Sequence, residues 1–292
     1  MGGLRPSGLH LNKPVVFGLL GIALVVFVVT RLYMGGGLAG TAASGVFQIA
    51  VKSETKPPAA GRGMDHVVNA SLLESPPAFA ADAASQEEQF KITLGDKALN
   101  VHVVQMIRRK ADVTNALTVL FLHGASFTSK NWLDIKTLEH VANWGYRAIA
   151  IDLPGYGTTD LTDESQPADF LTAFITAMGM KKVVIVSPSM SGSYSLPYLF
   201  KEPKSSTERA VGYVPVAPVK TGEFRQQYAD SQLPTLIVYG TKDRRGDTTT
   251  RDLMLLPKHE VAPIDGAGHA CYLDKPDDFH KVLFYFLKKL SS

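Results

Sequence analysis

One stretch constrains the fold more than any other: residues 183–192, which read Val-Val-Ile-Val-Ser-Pro-Ser-Met-Ser-Gly. Four β-branched residues in succession predict a strand that is buried on both faces of a parallel sheet. Small residues follow, and the apolar residues from Tyr194 to Leu199 then have helical spacing. A buried strand, a sharp turn and a helix, with Ser189 in the turn, is the layout of a nucleophile elbow.

Two alternatives stay open at this turn. Nucleophile elbows usually carry glycine two residues before and two residues after the nucleophile, whereas this chain has Ser187 and Ser191 there. Ser191 is a rival nucleophile, because Ser189 and Ser193 flank it in the same way. We favour Ser189, because a turn at the carboxyl end of the strand would raise it into a crevice. The simpler interpretation is a serine-rich helix cap.

Strands and helices alternate along residues 89–292, which we predict to be the catalytic domain. The pattern predicts a hairpin at 89–106 and a closing amphipathic helix at 279–290, with six more strands at 117–122, 147–151, 183–186, 211–214, 235–239 and 260–264. Such alternation predicts an α/β fold with a mostly parallel sheet and helices on both faces. In sheets of this kind the chemistry gathers beyond the carboxyl ends of the strands.

The N-terminal segment has a different composition. Residues 14–30 contain no charged side chain, and as a helix they would be about 25 Å long. We expect residues 1–34 to form a cytoplasmic N-terminus and a transmembrane signal-anchor that spans residues 14–34, with a cleaved signal peptide as the alternative. The small excess of basic residues before the span favours a type II orientation with a lumenal or extracellular domain. A cytoplasmic-facing domain, or secretion after cleavage, is the alternative.

Residues 35–88 are rich in Gly, Ala, Ser and Pro, which predicts a flexible stalk. Within it Asn69 begins an Asn-Ala-Ser sequon, which a lumenal chain could carry in glycosylated form. The net charge is only +3 and basic residues form no long run, so nucleic acid is not an expected partner. The single cysteine, Cys271, excludes an internal disulfide and a cysteine-based zinc site.

Five short strings, each at the end of a predicted strand, resemble those of the α/β-hydrolase superfamily. They are Leu122-His123-Gly124-Ala125, Asp152-Leu153-Pro154-Gly155-Tyr156-Gly157, the elbow, Tyr239-Gly240-Thr241-Lys242-Asp243 and Gly266-Ala267-Gly268-His269. With its apolar N-terminal segment, the chain is similar to the membrane-anchored form of the protein 14 family within that superfamily. The resemblance implies an α/β-hydrolase fold over about residues 89–290, with serines at the elbow as a family trait.

The resemblance also implies a set of catalytic residues. A neutral serine is a poor nucleophile, so it needs a base within hydrogen-bond reach and a carboxylate that holds the base. The order of the triad along the chain in this fold is Ser, Asp, His. That order selects Asp243 and His269 as partners of Ser189. Asp247 is the rival acid, but its position favours a cap on the next helix.

Other residues receive roles from the same resemblance. The oxyanion hole is expected in the backbone N–H groups of Ala125 and Met190. His123 is expected to brace its loop, and Asp152 to hold the turn at 154–157. Cys271 has no base or elbow of its own, so we expect a small buried hydrophobe near the histidine. No metal and no cofactor are expected.

The sequence therefore predicts a membrane-anchored serine hydrolase that forms an acyl-enzyme on short-chain acyl esters, thioesters or N-acyl groups, including acyl-lysine in an acylated protein. The interval from Val214 to Thr235 leaves room for a loop and one helix, so we expect a minimal cap or none and an open site. A non-catalytic binding or signalling module with the same fold is the alternative. Relatives with an aspartate nucleophile are disfavoured because serine occupies the elbow. The sequence does not indicate an oligomeric state.

Overall fold

The computed structural model describes residues 67–78, 83–108, 117–162 and 167–292, without the side chains of Ala83 and Arg108. The predicted anchor at residues 14–34 and most of the predicted stalk lie outside these ranges. Within them, no helix has the length and apolar character that a membrane span requires. The anchor and its orientation therefore stay predictions.

An eight-stranded sheet forms the centre of the described part. Its strands are β1 (Ala83–Leu94), β2 (Lys97–Arg108), β3 (Thr118–Phe121), β4 (Arg147–Ile151), β5 (Val183–Pro188), β6 (Gly212–Val216), β7 (Thr235–Gly240) and β8 (His259–Ile264). They lie in the order β1-β2-β4-β3-β5-β6-β7-β8. Strand β2 pairs antiparallel with β1 and β4, and the other neighbours are parallel. The predicted hairpin and mostly parallel sheet are confirmed.

Helices cover both faces of this sheet. They are α1 (Lys130–Asp134), α2 (Thr137–Asn143), α3 (Pro167–Ala177), α4 (Gly192–Phe200), α5 (Ser206–Arg209), α6 (Arg225–Tyr228), α7 (Gly246–Leu253), α8 (Cys271–Asp274) and α9 (Pro276–Ser291). Short 3-10 turns occur at Ala70–Leu72, Ser189–Ser191, Pro203–Ser205 and Thr221–Phe224. The closing helix α9 carries acidic residues in its first turn and lysines in its last, which favours both ends of the helix dipole.

The central strands are buried on both faces, as their unbroken apolar sequences predict. In β5, Val184 and Val186 belong to the apolar cluster that contains side chains of α2 and α9. Val183 and Ile185 belong to the second cluster, with side chains of α3 and α4. Successive strand residues point to opposite faces, so a strand between two helix layers must be apolar throughout.

The packed part of the chain begins earlier than the predicted stalk boundary at residue 88. Strand β1 starts at Ala83, and Val67 forms a parallel bridge with Val261 of β8. The Val68 N–H donates to the Val261 carbonyl at 2.7 Å, and Val68 and Ala70 are buried in the cluster on the α9 side. Residues 67–72 thus belong to the domain, because they cover the outer edge strand β8.

The connection from β6 to β7 is short. Residues 217–234 contain only the turn Thr221–Phe224 and the four-residue helix α6. The Tyr228 hydroxyl donates to the Thr221 carbonyl at 2.9 Å, and Arg225 forms an ion pair with Asp252 of α7 at 2.7 Å. The connection therefore packs against α7, and no helical cap stands between β6 and β7.

Candidate active site

The turn after β5 holds Ser189 in a strained backbone conformation. Its φ is +49°, in the left-handed region that residues with a side chain rarely adopt. The following helix lies very close to the next loop: a Cβ on Gly192 would be 2.5 Å from the Val219 carbonyl oxygen. The Val219 N–H in turn donates to the Ser189 carbonyl at 2.9 Å. Small residues are needed after Ser189 because helix and loop approach so closely here.

Three side chains from distant parts of the sequence meet beyond the carboxyl ends of the parallel strands. The Ser189 Oγ lies 2.9 Å from His269 Nε2. His269 Nδ1 lies 2.6 Å from Asp243 Oδ2. Ser189 follows β5, Asp243 follows β7 and His269 follows β8, so parallel strands bring them to one edge of the sheet.

These contacts determine how the protons are arranged in the resting site. An ionised carboxylate only accepts hydrogen bonds, so the Nδ1 of His269 carries the proton and donates to Asp243. The Nε2 then carries the lone pair and accepts the Ser189 hydroxyl proton. Asp243, whose side chain is 6% exposed, also accepts the Arg245 N–H on Oδ1 at 3.0 Å. The carboxylate is thereby held in orientation on both oxygens.

The rival residues lie elsewhere. Ser191 is fully buried, and its hydroxyl donates to the Pro188 carbonyl at 2.8 Å, whereas the histidine's accepting nitrogen contacts Ser189. Asp247 is exposed in the first turn of α7, where an acidic side chain favours the helix dipole. The structure brings Ser189, Asp243 and His269 together, and it places neither rival in the hydrogen-bonded group.

A chain of buried hydroxyls lies beneath the elbow. Ser187 Oγ is 3.0 Å from Ser191 Oγ and 2.7 Å from Ser195 Oγ, and Ser195 Oγ is 2.9 Å from the Tyr213 hydroxyl. Ser191 uses its only proton on the Pro188 carbonyl, so Ser187 donates to Ser191, Ser195 to Ser187 and Tyr213 to Ser195. Burial raises the pKa of Tyr213 well above its ordinary value, which keeps this first donor protonated. At the two positions where elbows usually carry glycine, the hydroxyls of Ser187 and Ser191 thus bond to each other.

A cavity of about 390 Å³ opens beside Ser189. Its lining includes Ala125 and Met190, the two residues predicted to supply oxyanion donors, next to His269. One wall is aromatic: Tyr272 stacks on the buried Trp132 with ring centroids 4.5 Å apart. The cavity lies near the lower end of the size range of small-molecule sites, which suits a short substrate group.

His123 and Asp152 brace the loops around this cavity. His123 Nε2 accepts the Leu153 N–H at 2.9 Å, and its Nδ1 donates to the Gly124 carbonyl at 2.8 Å. Burial lowers the pKa of His123, which favours this neutral form. Asp152 accepts the Ser129 N–H at 2.7 Å and is also buried. Both side chains bond to backbone partners, and His123 braces its loop as predicted. Asp152 was expected to hold the turn at 154–157, and a Cβ on Gly157 of that turn would lie 1.8 Å from its Oδ2.

Cys271 is fully buried, and burial raises the pKa of its thiol to about 12, which makes it a poor nucleophile. The prediction that it is a small buried hydrophobe is confirmed. Among the residues that the structure describes, no group of three or more His, Cys, Asp or Glu side chains is arranged to hold a metal ion.

Sequence reasoning missed three residues of the site. Ser195 and Tyr213 complete the hydroxyl chain, and each looks in sequence like an ordinary helix or strand residue. Arg245 lines the cavity, and its backbone N–H donates to Asp243. Its position two residues after the predicted acid was a usable signal, because residues next to a catalytic acid lie at the same edge of the sheet.

Comparison with known proteins gives a consistent result. A family model described as the alpha/beta hydrolase family matches residues 119–225. Protein ABHD14A of Danio rerio is 44% identical over 180 residues, which are 60% of this chain and 65% of that protein. A Rattus norvegicus protein with the provisional name protein-lysine deacylase ABHD14B is 40% identical over 211 residues, 68% of this chain and 99% of that protein. The crystal structure of a predicted CIB-like hydrolase from Thermoplasma acidophilum superposes with a TM-score of 0.62 at 24% identity, covering 71% of this chain and 99% of the other. The likeness in structure shows the α/β-hydrolase fold.

Proposed function

Because the chain belongs to the ABHD14 family of α/β hydrolases, we propose that it is a serine hydrolase with Ser189 as nucleophile, His269 as base and Asp243 as the acid that orients the base. The family confirms the predicted enzyme class, a hydrolase. The single observation that supports the triad is the continuous hydrogen-bonded path from Asp243 through His269 to Ser189.

In the first half-reaction an acyl group passes to the enzyme. Ser189 Oγ attacks the carbonyl carbon of the substrate, and its proton passes to His269 Nε2. The carbonyl oxygen becomes an oxyanion, which the backbone N–H groups of Ala125 and Met190 stabilise. The bond from the carbonyl carbon to the leaving oxygen, sulfur or nitrogen then breaks, and His269 gives its proton to the leaving group. Asp243 stabilises the imidazolium while it exists.

In the second half-reaction water releases the acyl group. A water molecule gives a proton to His269 Nε2 while its oxygen attacks the carbonyl carbon of the ester on Ser189. The bond between that carbon and Ser189 Oγ breaks, and His269 returns the proton to Oγ. The products are a carboxylic acid and the free enzyme.

The substrates we propose are short-chain acyl esters, thioesters or N-acyl groups. The small cavity limits the acyl part, and the short connection between β6 and β7 leaves room for a large group on the other side of the scissile bond. The provisional name of the ABHD14B relative, protein-lysine deacylase, supports an acylated protein as the large substrate.

Labelling by a fluorophosphonate probe tests the nucleophile. We expect the full-length protein to react and Ser189→Ala to be inert, because the probe forms its bond with an activated serine. Ser193→Ala is the matched control: it lies four residues further on, in the first turn of α4, outside the hydroxyl chain. His269→Gln and Asp243→Asn should both slow labelling by at least about a hundredfold. A folded wild type that does not react would leave the non-catalytic binding module as the better description.

We propose further that residues 14–34 anchor the protein in a membrane with the domain lumenal or extracellular. Asn69 is exposed, and its side-chain oxygen accepts hydrogen bonds from the backbone and hydroxyl of Ser71, so the sequon lies at the surface of the domain. A glycosidase-sensitive mass shift that is lost in Ser71→Ala would support this orientation. A domain that protease digests outside intact microsomes, without any glycan, would reverse it.

A further inference from the structure

The residues that line the cavity beside Ser189 include a cation but no carboxylate. Its lining residues are mostly glycine and apolar residues, and they include no Asp or Glu. The lining residue with a permanently charged side chain is Arg245. The cavity beside Ser189 therefore combines an apolar wall with a permanent cation.

Arg245 is held next to the triad by its backbone and leaves its side chain available. The Arg245 N–H donates to Asp243 Oδ1 at 3.0 Å, which positions the residue beside the catalytic acid. Its side chain is exposed, and within the described ranges no carboxylate lies within ion-pair distance of the guanidinium. Asp243, one of the two acids that lie two residues from Arg245, is already bonded to His269.

The neighbouring charges do not neutralise this cation. Lys242 and Arg244 flank Asp243 in the same loop, and Asp247 is exposed on α7. The Asp243 carboxylate already accepts hydrogen bonds from His269 and from the Arg245 N–H, so both of its oxygens are in use. A guanidinium in this setting gains most from an anion that brings two acceptor oxygens, which a carboxylate does in a bidentate arrangement.

We propose that Arg245 is a specificity-determining residue that selects substrates with a carboxylate a few atoms from the scissile carbonyl. The half-esters and half-amides of a short dicarboxylic acid have this chemistry, and so does an acyl group on an acidic leaving group. The inference rests on the proposed function, because it assigns a substrate class to the Ser189 site. It goes beyond that function by separating anionic from neutral acyl substrates of the same length.

Matched esters test this preference on the full-length protein. The butyrate and the succinate half-ester of one phenol place the carboxylate on the acyl side. The butyrate esters of 4-hydroxybenzoate and of 4-hydroxybenzamide place it on the leaving group. For each pair the measured quantity is the ratio of kcat/KM for the anionic ester to kcat/KM for the neutral ester.

We expect the wild type to prefer the anionic ester in one of the two pairs, and that pair identifies the side on which Arg245 acts. In Arg245→Gln the ratio should fall by about tenfold to a hundredfold, as expected when a charge-assisted hydrogen bond is lost. Arg245→Lys should retain part of the preference. Arg244→Gln is the matched control, because it removes the neighbouring positive charge outside the cavity lining and should leave the ratio unchanged.

Three results would overturn the inference: no anionic preference in the wild type, no change of the ratio in Arg245→Gln, or an equal fall in Arg244→Gln. For the acyl side, competition between succinamate, which is anionic, and butyramide, which is neutral, for probe labelling of the wild type gives the same comparison without any variant. Failure of the proposed function looks different, because then the wild type would hydrolyse none of the four esters faster than Ser189→Ala.

Discussion

In the hydroxyl chain beneath the elbow every hydrogen bond has an assigned donor, and this assignment predicts how much stability is lost when each hydroxyl is removed. Tyr213, Ser195, Ser187 and Ser191 donate in that order, and the chain ends on the Pro188 carbonyl. There are four protons and four bonds, so none is left over. Removing the hydroxyl at the start of the chain should therefore lower the unfolding free energy less than removing one in the middle.

Tyr213→Phe removes only the first donor. Ser195 still donates to Ser187, and the other bonds remain, so every buried O–H keeps an acceptor. The loss should be about 1 kcal/mol of unfolding free energy, the net value of one hydrogen bond. Ser187→Ala removes the middle instead. Ser195 and Tyr213 then have two protons and only one bond between them, so one buried O–H is stranded and the loss should be about 2 to 3 kcal/mol.

Equilibrium unfolding in urea measures both losses. The two tryptophans, Trp132 and Trp144, both lie in the described domain and report its unfolding by fluorescence. Ser193→Ala is the control, because it makes the same chemical change outside the chain. The direction assigned to the chain would be refuted if Tyr213→Phe cost as much as Ser187→Ala, or if Ser187→Ala matched the control.

Three further predictions follow from single residues. Ser191→Ala should keep probe labelling, whereas labelling that disappears while Ser189→Ala still reacts would make Ser191 the nucleophile. Gly157→Ala should lower the unfolding free energy by about 2 to 4 kcal/mol, because φ is +54° and a Cβ would lie 1.8 Å from Asp152 Oδ2; an unchanged urea midpoint would contradict this. Burial lowers the pKa of His280 from 6.5 to about 3, so the folded state resists a proton that the unfolded state accepts, and stability is lost as pH falls below 6.5. His280 should contribute about 2 kcal/mol of the stability lost between pH 7.5 and pH 5, and buried His123 adds to the total loss. Urea unfolding at both pH values should therefore show a loss that is smaller by about 2 kcal/mol in His280→Leu than in the wild type.

Much of the fold follows from local patterns. The run Val183–Val186 predicts a strand buried on both sides, and the strand bounds at 147–151 agree with the observed β4. The start of the domain was harder to predict, because Val67 to Leu72 lie in a region whose composition is that of a linker. Their place is decided by pairing with β8, a partner nearly 200 residues away along the chain.

In the candidate site, too, some features could be predicted from the sequence and others depended on tertiary packing. The resemblance to α/β hydrolases, together with order along the chain and position at strand ends, was enough to predict Ser189, Asp243 and His269, because parallel strands bring their carboxyl ends to one edge. Distances between those side chains, and the burial of Ser191, depend on packing that no local pattern encodes.

The sequence by itself determined the alternation of strands and helices and the residue types available for nucleophile, base and acid, because both depend on neighbours along the chain. Only the tertiary structure decided which serine faces the histidine, how Ser195 and Tyr213 support the elbow, and that Arg245 reaches the cavity. Those contacts join residues from separate strands and loops, and they exist only once the sheet has formed.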